Sequence, residues 1–379
     1  MRRVAHDPRP DWQARVEAVG LVYHTTDDGP YWDESAHYEL TAAEVDLLEA
    51  ATNELAELCL RAVDFVIDNN RFAELAIPDK AADAIRREWE RDPPSLYGRF
   101  DLAFDGQNVK LLEYNADTPT ALLEAAIAQW HWLKDVAPES DQFNSIWEAL
   151  VTKWSTLRDE NGIISQPVYF ASADLAEDVM TVTVLREAAE EAGLRTQTLA
   201  MEDIGWDAGA RRFVDLLGRP IGTIFKLYPW EWMVAEEFGS HALAADSGTD
   251  WIEPVWKLVL SNKGLLPILW EMFPGHRLLL PSYFGGSQGM SDYVRKPLLS
   301  REGANVSVYQ GGKAVLETPG DYGEEGYVFQ QFVELPDFDG HRPVVGSWVV
   351  DHSSSGIGIR ESTGLVTDNL SSFVPHLMT

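Results

Sequence analysis

The segment RFDLAFDGQNVKLLEYNADTPT, residues 99–120, constrains the fold more than any other part of the chain. Two runs with strand-like alternation flank a polar turn at 105–108, which is typical of a β-hairpin. A three-residue loop at 106–108 would place Asp101 directly opposite Glu113. The sequence therefore predicts a hairpin that pairs two carboxylates across its strands.

The polar side chains of this hairpin are predicted to share one face, because side chains alternate between the two faces of a strand. The polar face holds Arg99, Asp101, Glu113, Asn115 and Asp117, and the apolar face holds Phe100, Leu102, Leu112 and Tyr114. Opposed carboxylates repel by up to about 1 kcal/mol when solvated. A divalent cation such as Mg²⁺, which binds carboxylate and amide oxygens, would reverse that repulsion. A solvated polar face balanced by Arg99 fits the pattern equally well.

Helical and strand patterns alternate along the rest of the chain. Apolar residues at three- and four-residue spacing predict helices over 42–92, split at Pro78 and ended at Pro93. An alanine-rich helix follows the hairpin, and strand, helix and strand patterns from residue 166 predict a βαβ unit. These elements predict a mixed α/β (α+β) protein.

The later segments complete this organisation. A strand ending in an aromatic loop is predicted over 221–233, a helix interrupted by Pro267 over 254–273, and strands with glycine-rich turns beyond it. The sequence contains no repeat and no low-complexity linker, so 1–379 is predicted to be one functional module. Its approximate subdomains are 1–95 (helical), 96–165 (hairpin and helix), 166–250 (βαβ) and 251–379.

Charge and cysteine content limit the function. The chain has 61 Asp and Glu against 30 Lys and Arg, a formal net charge of −31. Such a surface disfavours nucleic acid and anionic membranes as partners and mildly favours cationic small molecules, although solubility alone also explains it. The one cysteine, Cys59, excludes a disulfide framework and a CxxC metal site. No segment approaches the roughly 18 apolar residues of a membrane span, so a cytoplasmic location is expected.

Positive charge is concentrated in RKPLLSREGANV, residues 295–306. A lysine at a strand end, followed by a loop with a flexible glycine, can surround phosphates with backbone N–H groups and a cation. The segment matches neither GxxxxGK[ST] nor GxGxxG. Taken alone, the pattern favours an ordinary β-turn with surface cations.

The segment GGSQG, residues 285–289, fits the GxSxG motif of serine hydrolases with Ser287 as nucleophile. That motif requires a buried strand before the serine and a helix after it. Pro281 and the polar residues after Gly289 predict a loop instead, which makes hydrolase chemistry at Ser287 a weak alternative. The nine histidines show no zinc-ligand spacing, so a zinc enzyme is also disfavoured.

Six segments occur in an order that resembles the glutathionylspermidine synthase family of ATP-grasp ligases. They are RFDLAF…LLEYNADTPT, FKLYPWEW, EPVWKLVLSNKGLLPILWEMFP, KPLLSREGANV, EEGYVFQQF and GIGIRE. The chain looks like the single-domain acid–amine ligase members, so the amidase domain of the two-domain enzymes is not expected. The resemblance implies an ATP-grasp fold with a helical N-terminal region, a preATP-grasp-like βαβ subdomain and nucleotide binding over 251–379.

The resemblance also implies roles for individual residues. Those implied to hold magnesium are Asp101, Glu113 and Asn115, and those implied to act at the reacting phosphate are Arg99 and Arg360. Those implied to bind the nucleotide are Lys263, Lys296, Ser300, Gly303, Asn305 and Gln330, with loops 300–305 and 285–289 as lids. Those implied at the substrates are Thr118 and Thr120, in place of family serines, and Glu177 with Asp178, which align loosely with polyamine-binding acids.

The implied activity is an ATP- and Mg²⁺-dependent joining of a carboxylate to an amine through an acyl phosphate. Glutathione or a related peptide acid and a polyamine are the implied substrates. Charge stabilisation carries most of phosphoryl transfer, so no side-chain nucleophile is required. The alternative is a catalytically inactive ATP-binding or scaffold protein of the same fold, against which the full set of charged residues speaks.

Overall fold

The computed structural model describes residues 1–26, 29–160, 162–163, 165–301, 303–367 and 371–379. Its helices are α1 (Trp12–Glu17), α2 (Ala42–Asp68), α3 (Asp79–Arg91), α4 (Gln129–Val136), α5 (Ile146–Asp159), α6 (Ala176–Glu191), α7 (Trp230–Ala235), α8 (Gly239–Ala242), α9 (Lys257–Ser261) and α10 (Leu265–Met272). A π-helical turn, Glu124–Ala128, leads into α4.

The helices predicted over 42–92 are confirmed. α2 begins at a capping box, in which the side chains of Thr41 and Glu44 each accept a hydrogen bond from the other residue's backbone N–H. Pro78 is the N-cap of α3, a position whose backbone N–H makes no intrahelical hydrogen bond. Cys59 is buried in α2.

The strands include β1 (Arg2–Ala5), β2 (Thr25–Thr26), β3 (Gly29–Pro30), β4 (Ala36–Leu40), β5 (Tyr97–Phe104), β6 (Val109–Asn115), β7 (Val168–Ser172), β8 (Thr196–Ala200), β9 (Gly205–Asp207), β10 (Arg212–Val214), β11 (Thr223–Leu227) and β12 (Asp250–Ile252). The C-terminal strands are β13 (Ser282–Phe284), β14 (Tyr293–Pro297), β15 (Ser307–Gln310), β16 (Lys313–Glu317), β17 (Tyr327–Gln331), β18 (Arg342–Val350), β19 (Ser353–Ser362), β20 (Ser372–Val374) and β21 (His376–Met378).

Three sheets surround the candidate site. The hairpin sheet has the strand order β20-β19-β18-β5-β6, the parallel sheet β12-β11-β7-β8, and the second antiparallel sheet β13-β17-β14-β15-β16. The hairpin sheet joins strands from the predicted subdomains 96–165 and 251–379. The division of the chain into four subdomains itself stays a prediction.

The predicted pairing of the hairpin is confirmed at its polar end. Asp101 lies opposite Glu113, and Arg99 lies opposite Asn115. On the other face, Phe100 is fully buried in the main core, as alternation predicted.

The predicted three-residue turn is wrong. Phe104 pairs with Val109, so the loop has four residues, 105–108, and a β-bulge at Leu112 shifts the register back before the polar end. The bulge changes which side chain faces the core, because Leu111 is buried there while Leu112, predicted on the apolar face, lines the site cavity.

The predicted βαβ unit is confirmed as β7, α6 and β8, and β7 also pairs in parallel with β11. The chain leaves the carboxyl ends of β7 and β11 at the same edge of the sheet. Ligands of open α/β sheets bind at such an edge. Residues that follow each of these strands, including Ala173 and Tyr228, line the site cavity.

Two local predictions need correction. The aromatic loop predicted after β11 is instead the short helix α7. The helical segment 254–273 is broken at 262–264, between α9 and α10, and not at Pro267, which lies in the first turn of α10, where its missing N–H costs no hydrogen bond.

The GxSxG segment does not form a nucleophile elbow. Strand β13 precedes it, but the chain beyond Ser287 turns into strand β14, with no helix between them. This geometry agrees with the loop predicted from Pro281. In the part of the chain that the structure describes, no helix combines the length and apolarity needed to span a membrane.

Candidate active site

One cavity lies where the hairpin sheet, the carboxyl edge of the parallel sheet and the second antiparallel sheet meet. The residues with implied roles that line it are Arg99, Asp101, Glu113, Asn115, Thr118, Thr120, Glu177, Asp178, Lys263, Lys296, Ser300, Gly303, Gln330 and Arg360. Asn305 is not among its lining residues; its side-chain amide donates to the Tyr322 carbonyl. Segments more than two hundred residues apart in sequence therefore contribute to one site.

Two arginines hold the carboxylate of Asp101. Arg99 donates from Nε to Oδ1 at 2.7 Å, and Arg360 donates from Nη2 to Oδ2 at 3.0 Å. Gly346, on the strand between β5 and β19, leaves room for the Arg99 side chain, since a Cβ there would lie 3.0 Å from Cδ of Arg99, a tight contact. The guanidinium groups thus stand beside the opposed carboxylates of the hairpin.

Two lysines act on the second carboxylate, Glu113. Lys263 Nζ lies 3.4 Å from Glu113 Oε2. Burial by itself would raise the pKa of Glu113, but the positive charges of Lys263 and Lys296 outweigh it and hold the pKa at about 2. Burial lowers the pKa of Lys296 to about 8, against the attraction of Glu113. Glu113 is therefore an anion throughout the physiological range.

The β-bulge orients Lys296. Its Nζ donates to the Leu112 carbonyl at 3.1 Å and to Gln330 Oε1 at 2.8 Å, and Gln330 Nε2 donates to the Leu111 carbonyl at 3.0 Å. Strand β6 lies at the edge of its sheet, so backbone carbonyls that face away from β5 are free to accept these hydrogen bonds.

The loop after β14 lies over the lysines. Lys263 Nζ donates to the Ser300 carbonyl at 2.5 Å, and the buried hydroxyl of Ser300 has no hydrogen-bond partner among the described residues. Gly303 has φ of 71°, in the left-handed region that favours glycine. Glu302, within the predicted lid 300–305, lies outside the described residues. The other predicted lid, 285–289, does not line the cavity.

Arg301, one of the cations concentrated in 295–306, also lines the cavity. It donates to Thr118 Oγ1 and to Glu231 Oε1, both at 2.6 Å, and its guanidinium lies 5.7 Å from the ring centre of Trp232. The local excess of cations in 295–306 was the only signal for it. For Glu231 and Trp232, in α7, no sequence pattern indicated a place at the site, because acidic and aromatic residues of this kind are common in purely structural positions.

The predicted substrate residues also line this cavity. Thr118 and Thr120 follow β6, and the Thr120 carbonyl accepts a hydrogen bond from Arg99 Nη1 at 2.7 Å. Glu177 and Asp178 stand in the first turn of α6, where the helix dipole stabilises negative side chains. Acidic groups and cations therefore line the same cavity.

A buried ion pair fixes the exit of the hairpin against the parallel sheet. Lys226, 0% exposed, and Asp117, 1% exposed, lie 2.6 Å apart, and Asp117 also accepts a hydrogen bond from the Trp230 N–H. Asp117, which alternation placed on the polar face, is thus in the core and not in the cavity. Burial raises the pKa of Asp117 and lowers the pKa of Lys226, so each depends on the other to stay charged.

Replacing Lys226 by methionine should destabilise the protein by about 3–5 kcal/mol, because it leaves the Asp117 carboxylate buried and unpaired. The loss should be smaller at pH 5 than at pH 8, since a buried carboxyl can become neutral more easily in acid. Urea unfolding at both pH values measures it. Arg211→Ala, which removes an exposed pair with Asp246, is the control and should cost less than about 1 kcal/mol. Equal stability of Lys226→Met and wild type would contradict a structural role for this pair.

The hairpin suits a magnesium ion by its donor chemistry. The opposed carboxylates of Asp101 and Glu113, with the amide of Asn115 beside them, are oxygen ligands of the kind Mg²⁺ shares with substrate phosphates. Among the described residues, no group of three or more His, Cys, Asp or Glu is placed around a common point. An ion at this site would therefore draw its remaining ligands from phosphates and water.

Comparison with solved structures supports the fold. Over 98% of both chains, with a TM-score of 0.59 and 10% sequence identity, the protein is similar to a glutathione synthetase-like effector from Globodera pallida in its apo form. The fold is of the ATP-grasp type. The relatives in sequence are named as carbon–nitrogen ligases, and the chain is an enzyme of that class.

The chain belongs to the glutathionylspermidine synthase preATP-grasp family, whose model matches residues 3–379. It is 42% identical to a provisionally named acid–amine ligase of Haemophilus influenzae, over 99% of both chains. It is 30% identical to the trypanothione synthetase of Crithidia fasciculata, over 79% of this chain and 50% of that one. It is 27% identical to the bifunctional glutathionylspermidine synthetase/amidase of Escherichia coli, over 97% and 62%. The family consists of ATP-dependent amide ligases.

Proposed function

We propose that the protein is an ATP- and Mg²⁺-dependent ligase that joins a carboxylate to an amine through an acyl phosphate. The observation that carries this proposal is the convergence of Arg99, Arg360, Lys263 and Lys296 on the opposed carboxylates of the hairpin. The cations can neutralise the phosphates of a nucleoside triphosphate, and the carboxylate pair can hold its magnesium ion. Transfer of a phosphoryl group depends mainly on such charge stabilisation.

The first step is activation of the acid. A carboxylate oxygen of the acid substrate attacks the γ-phosphorus of ATP, the bond to the ADP oxygen breaks, and an acyl phosphate forms. Arg99 and Arg360 stabilise the charge that spreads over the transferred phosphoryl group. Magnesium, held by Asp101, Glu113 and Asn115, would neutralise phosphate charge.

The second step is amide formation. The amine nitrogen attacks the carbonyl carbon, and phosphate leaves with the electrons of the C–O bond. Water would hydrolyse the acyl phosphate, so the site must exclude water while this intermediate is present. The loop after β14, with Ser300, Gly303 and the neighbouring Asn305, is the proposed cover, and Lys263, Lys296 and Gln330 are the proposed nucleotide contacts.

The proposed substrates are a peptide acid such as glutathione and a polyamine. Thr118 and Thr120 line the cavity beside Arg301 and Arg99, where an acid substrate would bind. Glu177 and Asp178 offer negative charge to a cationic amine across the same cavity. A cytoplasmic location is part of the same proposal.

The test is phosphate release from ATP over a matrix of acids and amines that includes glutathione and spermidine. Release should require both substrates, and it should be lost when EDTA removes magnesium. Release that never depends on both substrates would overturn the proposal. A thermal shift with ATP but no turnover on any pair would instead favour the catalytically inactive ATP-binding protein.

A further inference from the structure

Glu124 is a buried carboxyl group that the proposed mechanism does not use. It begins the π-helical turn before α4, and such widened turns occur often at functional sites. Its side chain is 1% exposed, and its Oε1 atom has no hydrogen-bond partner among the described residues. A buried oxygen without a partner costs free energy, so packing alone does not account for a carboxyl group here.

The charged and titratable groups around Glu124 come from three elements. The Tyr31 hydroxyl, in the segment before β4, is hydrogen-bonded to its carboxyl, and the charges of Glu177 on α6 and Arg360 on β19 act on it. Helix α5 packs against the same turn with apolar side chains such as Ile146. Glu124 therefore lies within electrostatic reach of two charged residues that line the cavity.

Glu177 links this buried carboxyl to the reacting end of the cavity. It lines the cavity, and its charge acts on Arg99 as well as on Glu124. Burial and then repulsion by Glu177 raise the pKa of Glu124 to about 7, although Tyr31 and Arg360 lower it. A carboxyl group that titrates near neutral pH is suited to accept a proton during turnover.

The proposed reaction needs such an acceptor. An alkyl amine is an ammonium ion at neutral pH, and its nitrogen has no free electron pair until a proton leaves. The ammonium form of the substrate therefore cannot form the C–N bond until it loses a proton. Neither arginine nor a lysine that neutralises phosphate can take that proton.

We propose that Glu124 is the proton acceptor for the ammonium group of the amine substrate, which it serves through the Glu177 carboxylate at the cavity wall. This inference rests on the proposed ligase function. An N–H bond of the ammonium ion breaks, its electron pair stays on nitrogen, and the proton passes by way of Glu177 to Glu124. The freed pair then forms the C–N bond as phosphate leaves. Glu124 is thus a positioning residue for the proton, and Tyr31 orients its carboxyl.

Hydroxylamine provides the test, because it is largely unprotonated at neutral pH and attacks acyl phosphates without a base. Wild type and Glu124→Gln are assayed with ATP, glutathione and either hydroxylamine or spermidine. Both proteins should form the hydroxamate at the same rate. With spermidine, kcat of Glu124→Gln should fall about 100-fold at pH 7, with a smaller change in KM. The rise of the wild-type kcat as the pH passes through about 7 should also disappear.

Two further variants separate proton transfer from packing. Tyr31→Phe keeps the carboxyl but removes a hydrogen bond that lowers its pKa, so the rise in kcat should move to higher pH. Glu187→Gln, at an exposed position further along α6, should match wild type with both nucleophiles. A merely structural Glu124 would slow hydroxamate formation as well and would leave the pH profile in place.

The outcomes distinguish this inference from the ligase proposal. Hydroxamate formation with unchanged spermidine kinetics in Glu124→Gln overturns the inference alone. If no variant forms a hydroxamate, the ligase proposal with glutathione fails, and calorimetry with spermidine at pH 7 in two buffers decides the inference. Binding of the cation should release part of a proton in wild type and none in Glu124→Gln. The inference is overturned if spermidine does not bind, or if wild type and Glu124→Gln release the same number of protons.

Discussion

Replacing Arg360 by alanine should lower turnover by about a thousandfold or more while the protein stays folded. The side chain is 20% exposed and its bond to Asp101 is shared with Arg99, so the fold keeps its main contacts here. In the proposed mechanism the transferred phosphoryl group loses one of two arginines, and an arginine that stabilises such a group contributes about 10³–10⁵ in rate. Phosphate release measures the loss, and thermal melting checks the fold.

Arg360→Lys and Arg342→Ala are the matched controls. Lysine keeps the charge but cannot present two parallel N–H groups, so it should recover only part of the activity. Arg342 begins the neighbouring strand β18, pairs with Asp337 and does not line the cavity, so its removal should leave turnover unchanged. Near-wild-type activity of Arg360→Ala would remove this residue from the site.

Replacing Glu113 by glutamine should abolish turnover at physiological magnesium and raise the magnesium concentration needed for any residual activity. The substitution keeps the shape of the side chain but removes a carboxylate that Lys263 and Lys296 hold ionised. Loss of one charged oxygen ligand weakens Mg²⁺ binding, and the two lysines would repel each other without it. Phosphate release over a magnesium titration measures both effects.

Stability must be followed in the same variant. The folded-state pKa of Glu113 is lowered to about 2, so its charge stabilises the fold above the unfolded-state value, and that contribution disappears as the pH falls toward 2. Glu113→Gln should therefore be less stable than wild type at neutral pH, with a smaller difference in acid. Glu317→Gln, exposed on β16, is the control. Unaltered magnesium dependence in folded Glu113→Gln would contradict the metal assignment.

The polar end of the hairpin shows how a correct prediction can follow from an incorrect detail. Alternation placed Asp101 opposite Glu113, and the structure agrees. The turn, however, has four residues, and the bulge at Leu112 restores the register. The carbonyls of Leu111 and Leu112 beside this bulge accept hydrogen bonds from Gln330 and Lys296, which belong to distant strands. No local pattern contains that information.

Asp117 and Arg301 show the same limit. Alternation assigned Asp117 to the polar face, but Lys226 from β11 draws it into the core. Arg301 looked like a surface cation, yet it joins Thr118 after β6 to Glu231 in α7. The position of each side chain depends on a partner more than fifty residues away in the chain. A single sequence shows where the charged residues are but not which of them form pairs.

The sequence alone determined most of the elements, the family and most of the residues that line the cavity, since periodicity, turn chemistry and ordered motifs are local properties of the chain. The tertiary structure decided which charges share an environment. It placed Glu124, a charged residue in an alanine-rich turn, within electrostatic reach of Glu177 and Arg360, and it buried Asp117 beside Lys226. The physical reason is that burial and electrostatic interaction depend on distance in space, and the packing of three sheets sets those distances.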